Sequence, residues 1–142
     1  MNSWFDITNL NWDNTCYNII DVEMNCKMVR VAMEEEIAKL GGKSENLYIG
    51  GLSQGCAMAL HIGLGYEKPL GAVIGLSGFK FLETTFSECN KNTPVFINHG
   101  TSDTTIPYEK ALKSYEGYDC TKYPNITFKK MEGMGHIIGR AT

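Results

Sequence analysis

No charge of one sign dominates this sequence. Its 142 residues carry 13 Lys and Arg against 16 Asp and Glu, a formal charge of −3. No basic run or basic face stands out, which argues against nucleic acid as a partner. Long apolar runs are missing too, since none approaches the roughly 18 residues a membrane span needs, so stable membrane insertion is not expected. The five cysteines, Cys16, Cys26, Cys56, Cys89 and Cys120, form no CxxC pair and no regular framework. An odd, scattered set fits free thiols in a reducing compartment. Neither Cys nor His falls at zinc-ligand spacing, so no metal is expected, and no cofactor is implied. The start, Met1-Asn2-Ser3-Trp4-Phe5-Asp6, lacks a basic region followed by an apolar stretch. It reads as no signal peptide, and the expected location is cytoplasmic. Repeats, low-complexity tracts and linkers are also lacking.

What remains is an ordinary globular balance, 43% hydrophobic and 20% charged, enough for one core and one domain over residues 1–142. Residues 1–18 read as irregular. Val22, Cys26, Val29, Met33, Ile37 and Leu40 then recur at helical spacing, and Gly41-Gly42 supplies the stop. A short apolar run over 47–51 has strand length, and Cys56–Ile62 looks helical up to Gly63. Further strands are expected over 71–76, 94–98 and 126–131. Pro107 opens a helix through Tyr115 as a first-turn proline. Strands alternate with helices, and two strands are apolar without alternation. The pattern predicts an α/β fold with a mostly parallel sheet covered on both faces.

In such sheets, function collects at the carboxyl ends of the strands. Here three strand ends deliver Ser53, Asp103 and His136, in the chain order of a Ser-Asp-His hydrolase triad. A serine hydroxyl becomes a useful nucleophile when a base takes its proton during attack. His136 is placed to be that base, and Asp103 to fix its tautomer. Gly51 and Gly55 flank Ser53, and are expected to clear neighbouring chain from a tight strand-to-helix turn. The amide of Gln54, at the start of the next helix, is the candidate oxyanion donor. Plainer readings stand beside these: Ser53 as a turn serine, Asp103 as a turn cap before Pro107, His136 as a loop histidine. His99 competes for the base role but precedes the same turn as Asp103, which favours a structural role. His61 and Cys56 read as packed residues of the helix after Ser53.

The runs Ser3-Trp4-Phe5-Asp6, Gly50-Gly51-Leu52-Ser53-Gln54-Gly55, Leu76-Ser77-Gly78, His99-Gly100-Thr101-Ser102-Asp103 with Ile106-Pro107, and Gly133-Met134-Gly135-His136 resemble the acyl-protein thioesterases and the related phospholipase/carboxylesterase group. The resemblance implies an α/β-hydrolase fold and hydrolysis of esters or thioesters, with acylated proteins or lipid esters as substrates. It implies Ser53 as nucleophile, Asp103 as orienting acid, His136 as base, and Leu52 and Phe79 as substrate-lining residues. Against that pattern the chain is expected to lack the early strands, with the loop that gives a second oxyanion amide, and the final helix. The strand over 47–51 would then show an open edge, inviting a protein partner or a second copy. A catalytically impaired pseudoenzyme serving as a structural subunit is the main alternative, and an acyl-group binding module a third reading.

Overall fold

A computed structural model of the chain describes residues 3–118 and 121–136. Four parallel strands form one sheet in the order β1-β2-β3-β4, with β1 at Tyr48–Leu52, β2 at Ala72–Leu76, β3 at Val95–Gly100 and β4 at Ile126–Met131. The register is regular: Gly51 pairs with Gly75, Gly75 with Ile97, and Ile97 with Phe128. Parallel strands need crossovers, which put helices on the sheet faces. Helix α1 spans Ile19–Lys39, α2 Gln54–Leu64 and α3 Tyr108–Ser114.

The long helix begins where the Asn18 side chain accepts a hydrogen bond from the Ile20 amide, satisfying one of the first-turn donors that have no partner within the helix. Its buried residues are Val22, Cys26, Met33 and Ile37; of the expected stripe Val29 is half-buried, and Leu40, at the C-cap where the helix has ended, is exposed. Helix α2 runs one residue past Gly63, to Leu64. Pro107 sits at the N-cap of α3, with ψ of 138°, not in its first turn. Residues before a helix are extended, and Pro fits there because its fixed φ is compatible with either position.

The core lies between the sheet and its helices, with Val73, Val95, Ile97, Leu60 and Ile62 almost fully buried. A second packing centre is aromatic. Phe79 and Phe81 meet edge-to-face at 5.5 Å, and Phe5, Trp12 and Tyr17 close around them. Thus residues 3–18 are irregular, as expected, yet they are fastened into the core. Among the described residues β1 pairs with β2 alone, and Tyr48 and Leu52 at that edge are exposed.

Candidate active site

Ser53 links the end of β1 to the start of α2. Its backbone, at φ 59° and ψ −118°, lies in a region that side-chain-bearing residues avoid. Its amide donates to Leu76 O at 2.9 Å, and its carbonyl accepts from Cys56 N at 3.0 Å, so both flanking elements hold the turn. Gly51 makes this possible. A β-carbon there would stand 2.0 Å from the Gly55 carbonyl oxygen. Gly55 is different, and corrects the expectation that both glycines clear the turn: a β-carbon on it would meet only Trp4 Nε1, at 3.8 Å.

His136 follows β4 and reaches both partners. Its Nδ1 lies 2.8 Å from Asp103 Oδ2, and its Nε2 2.9 Å from Ser53 Oγ. A carboxylate only accepts, so Nδ1 carries the proton toward Asp103, and Nε2 is left to accept from the Ser53 hydroxyl. Asp103 is buried after β3. Its Oδ1 accepts from the amides of Thr105 (2.9 Å) and Ile106 (2.8 Å), which fixes the carboxylate plane and leaves Oδ2 for histidine. The fold thus brings together Ser53, Asp103 and His136 from three separate strand ends.

Gln54 is the first residue of α2, so its amide has no acceptor within the helix. Its side chain has another task. Oε1 accepts from Trp4 N and Nε2 donates to Phe5 O, each at 3.1 Å, which ties the N-terminal segment to the turn at Ser53. Leu52 is about half exposed and, with Trp4, Val29, Ile49 and Met58, lines a groove of about 250 Å³. Phe79 has no exposed surface and is packed inside the aromatic cluster.

His99 is fully buried, and its Nε2 donates to Ile106 O at 2.8 Å while lying 3.3 Å from Asp103 Oδ2. It therefore braces the loop that carries Asp103 and does not reach Ser53. The hydroxyl of Ser77, a residue at φ 50° just after β2, is buried without a hydrogen-bond partner among the described residues. Cys56 is buried beneath the turn, and desolvation pushes its thiol up to about 12, which keeps it protonated and a poor nucleophile. Its Sγ lies 3.7 Å from the Tyr115 hydroxyl and also meets the backbone of Gly78 and Phe79. Cys16 and Cys26 are buried free thiols and Cys89 an exposed one, while Cys120 lies outside the described residues. Linear spacing misses one grouping: Glu23, Cys26 and His61 bring potential ligand atoms within 4.8 Å of one another. Both His61 ring nitrogens there already have partners, Glu23 at 2.7 Å and Thr84 at 3.0 Å.

The family model for phospholipase/carboxylesterase matches residues 1–141. The chain belongs to this family. Acyl-protein thioesterase 1 of Saccharomyces cerevisiae is 34% identical over 144 residues, covering 96% of this chain and 62% of that protein. The Gibberella zeae protein of the same name is 34% identical over 151 residues, covering 96% and 61%. The chain thus spans about three fifths of the length of these curated relatives. Among solved structures, Arabidopsis thaliana SOBER1 superposes with a TM-score of 0.82 at 33% identity, covering 98% of this chain and 68% of that one. Zea mays acyl-protein thioesterase 2, at 22% identity and a TM-score of 0.76, covering 97% and 66%, shares the fold. Among the described residues no helix is long and apolar enough to cross a membrane.

Proposed function

We propose that this chain carries the catalytic residues of a serine hydrolase that cleaves carboxylic esters or thioesters, and that residues 1–142 form part of one α/β-hydrolase domain. The observation that carries the reading is the hydrogen-bonded chain from Ser53 Oγ through both nitrogens of His136 to Asp103 Oδ2. In the first step Ser53 Oγ attacks the acyl carbon and its proton passes to His136 Nε2. The carbonyl oxygen takes the negative charge, and the Gln54 amide, first in α2 and so without an acceptor inside the helix, is the donor for it. Asp103 stabilises the imidazolium without itself taking the proton. His136 then protonates the departing alcohol or thiol, leaving an acyl-serine. Water, deprotonated by the same nitrogen, attacks that acyl carbon and releases the acid and free Ser53.

Acylated proteins and lipid esters are the substrate classes that the family membership supports. A fluorophosphonate probe tests the proposal. Labelling at Ser53 that disappears in Ser53→Ala is the expected result. A folded protein that takes up no label would overturn it, and would favour a structural or acyl-binding role instead.

A further inference from the structure

A pocket of about 220 Å³ opens beside the aromatic cluster, lined by Trp12 and Tyr17 together with Lys80, Lys110 and Lys113. Its acidic lining residues are Asp13 and Glu116. Cations therefore outnumber carboxylates here, in a chain that is acidic overall. Asp13 directs its hydrogen bonds to Thr15, although Lys110 also acts on its carboxylate electrostatically. Its Oδ1 accepts from the Thr15 hydroxyl at 2.5 Å and the Thr15 amide at 2.9 Å. None of the three lysines is in an ion pair among the described residues. Lys80 is half-buried, and among the described residues its ammonium donates to the neutral Phe81 carbonyl at 3.1 Å and faces the Tyr118 ring at 6.0 Å. Burial disfavours the Lys80 charge and Glu83 offsets part of that cost; a partly desolvated ammonium with no direct ion pair is one that a further anion would stabilise.

The walls of this pocket grow from the loops that hold the proposed catalytic residues. Lys80 lies two residues beyond Gly78, where a β-carbon would stand 2.6 Å from the Ser53 carbonyl oxygen. Phe79, between them, packs on Trp12 at 5.6 Å. Helix α3, carrying Lys110 and Lys113, starts directly after Ile106 and Pro107, and Asp103 binds the Ile106 amide. Ser114 of α3 closes the two walls by accepting from the Lys80 amide at 3.0 Å. The pocket thus sits at the carboxyl ends of β2 and β3, where ligands of open parallel sheets bind. Aromatic faces with a few convergent charges suit a ligand with an apolar body and an anionic end.

We propose that this pocket binds a carboxylate or phosphate carried by the ester substrate, with the adjoining apolar part against Trp12 and Tyr17. The proposal rests on the hydrolase reading above, and its test separates the two. Rates are measured for mono-4-nitrophenyl glutarate against 4-nitrophenyl pentanoate, which places the charge on the acyl side. A second pair, 4-carboxyphenyl pentanoate against phenyl pentanoate, places it on the leaving group. In one of the pairs kcat/KM should favour the anionic ester, and Lys110→Ala with Lys113→Ala should lower that preference about 3- to 30-fold, as should high salt. Binding is read separately in Ser53→Ala/Trp4→Phe protein, where Trp12 is the remaining tryptophan. Phenyl phosphate should change its fluorescence, and the lysine substitutions should remove the response. Fluorescence that responds in a protein hydrolysing none of the esters supports the anion site while sinking the hydrolase reading. Active protein whose ester preference ignores the lysines overturns the proposal, and so does a Trp12 that phenyl phosphate never perturbs.

Discussion

The two glycines around Ser53 look equivalent in the sequence, and the structure makes opposite predictions for them. At Gly51 a β-carbon would stand 2.0 Å from Gly55 O, 2.1 Å from Gly55 C and 2.8 Å from Cys56 N. All three are backbone atoms of the first turn of α2, so no side-chain rotation gives relief. An ordinary carbon–oxygen contact is above 3 Å, so Gly51→Ala must drive strand and helix apart by about 1 Å. Forced separation inside a packed core costs about 3–5 kcal/mol, at the upper end of overpacking. In a chain of this size that corresponds to a fall in Tm of roughly 10–20 °C. A displacement of about 1 Å at the nucleophile adds a loss on the order of 100-fold in rate to whatever folded protein remains. Gly55 faces open space apart from Trp4 Nε1 at 3.8 Å and lies within α2. Gly55→Ala should therefore leave Tm unchanged or raise it, by up to about 1 kcal/mol of helix propensity. Thermal unfolding followed by circular dichroism, with ester hydrolysis on the same samples, compares the two. If Gly51→Ala melts with the parent protein, or Gly55→Ala is the worse of the pair, the account of this turn is wrong.

Asp103→Asn keeps an oxygen for the Thr105 and Ile106 amides but presents the wrong partner to His136 Nδ1, so the protein should fold while kcat falls on the order of 10⁴-fold; a loss under tenfold in a steady-state esterase assay would remove Asp103 from the mechanism. His99→Leu leaves the buried Ile106 carbonyl without its donor and should cost about 1–3 kcal/mol in urea unfolding, with a slower enzyme as the Asp103 loop loosens; an unchanged midpoint would contradict the bracing role. The Cys56 thiol is pushed up to about 12 by burial, from an ordinary value of 9.0. The unfolded chain therefore loses this proton first as pH rises, so the stability contribution is whole below about pH 9 and declines toward pH 12, with a slope of up to roughly 1.4 kcal/mol per pH unit. Cys56→Ala should flatten that decline in urea midpoints taken across the range. Desolvation raises Cys26 to about 11 as well, while Cys89 is exposed. Iodoacetamide on native protein at pH 8 should alkylate Cys89 well before Cys16, Cys26 or Cys56, as mass mapping of the peptides would show.

Much of this architecture is written in local pattern, and what is not has a physical reason. The strand-turn-helix around Ser53 is legible because three constraints meet there: an apolar strand, a glycine for close approach and an apolar helix. Asp103 and His136 could be read because a parallel sheet sends every strand end to one edge, so chain order alone nominates them. The stripe on α1 was visible because Val22, Cys26, Met33 and Ile37 repeat with the helical period. Residues 3–18 carry no period, and so their part in the core was hidden. What fastens them is long-range: the Gln54 side chain holding Trp4 and Phe5, and the rings of Phe5, Trp12 and Tyr17 against Phe79.

The same limit applies to Lys80, Lys110 and Lys113, which no local pattern in the sequence brings together. They converge only because the segment after β2 and helix α3 are joined through the Lys80 amide and Ser114. The residues proposed for bond chemistry follow shortly after strands, and strands announce themselves by pattern. The lysines proposed to select a substrate sit on a loop and on helix α3, and a hydrogen bond between distant positions joins the two. Ser114→Ala probes that distinction. It removes the acceptor for the Lys80 amide without touching Ser53, Asp103 or His136. It should weaken the preference for anionic esters by loosening the two walls, while fluorophosphonate labelling at Ser53 continues. Equal losses of labelling and preference would mean that the pocket and the site of bond cleavage are one structural unit, and that loop and strand end are not separable here.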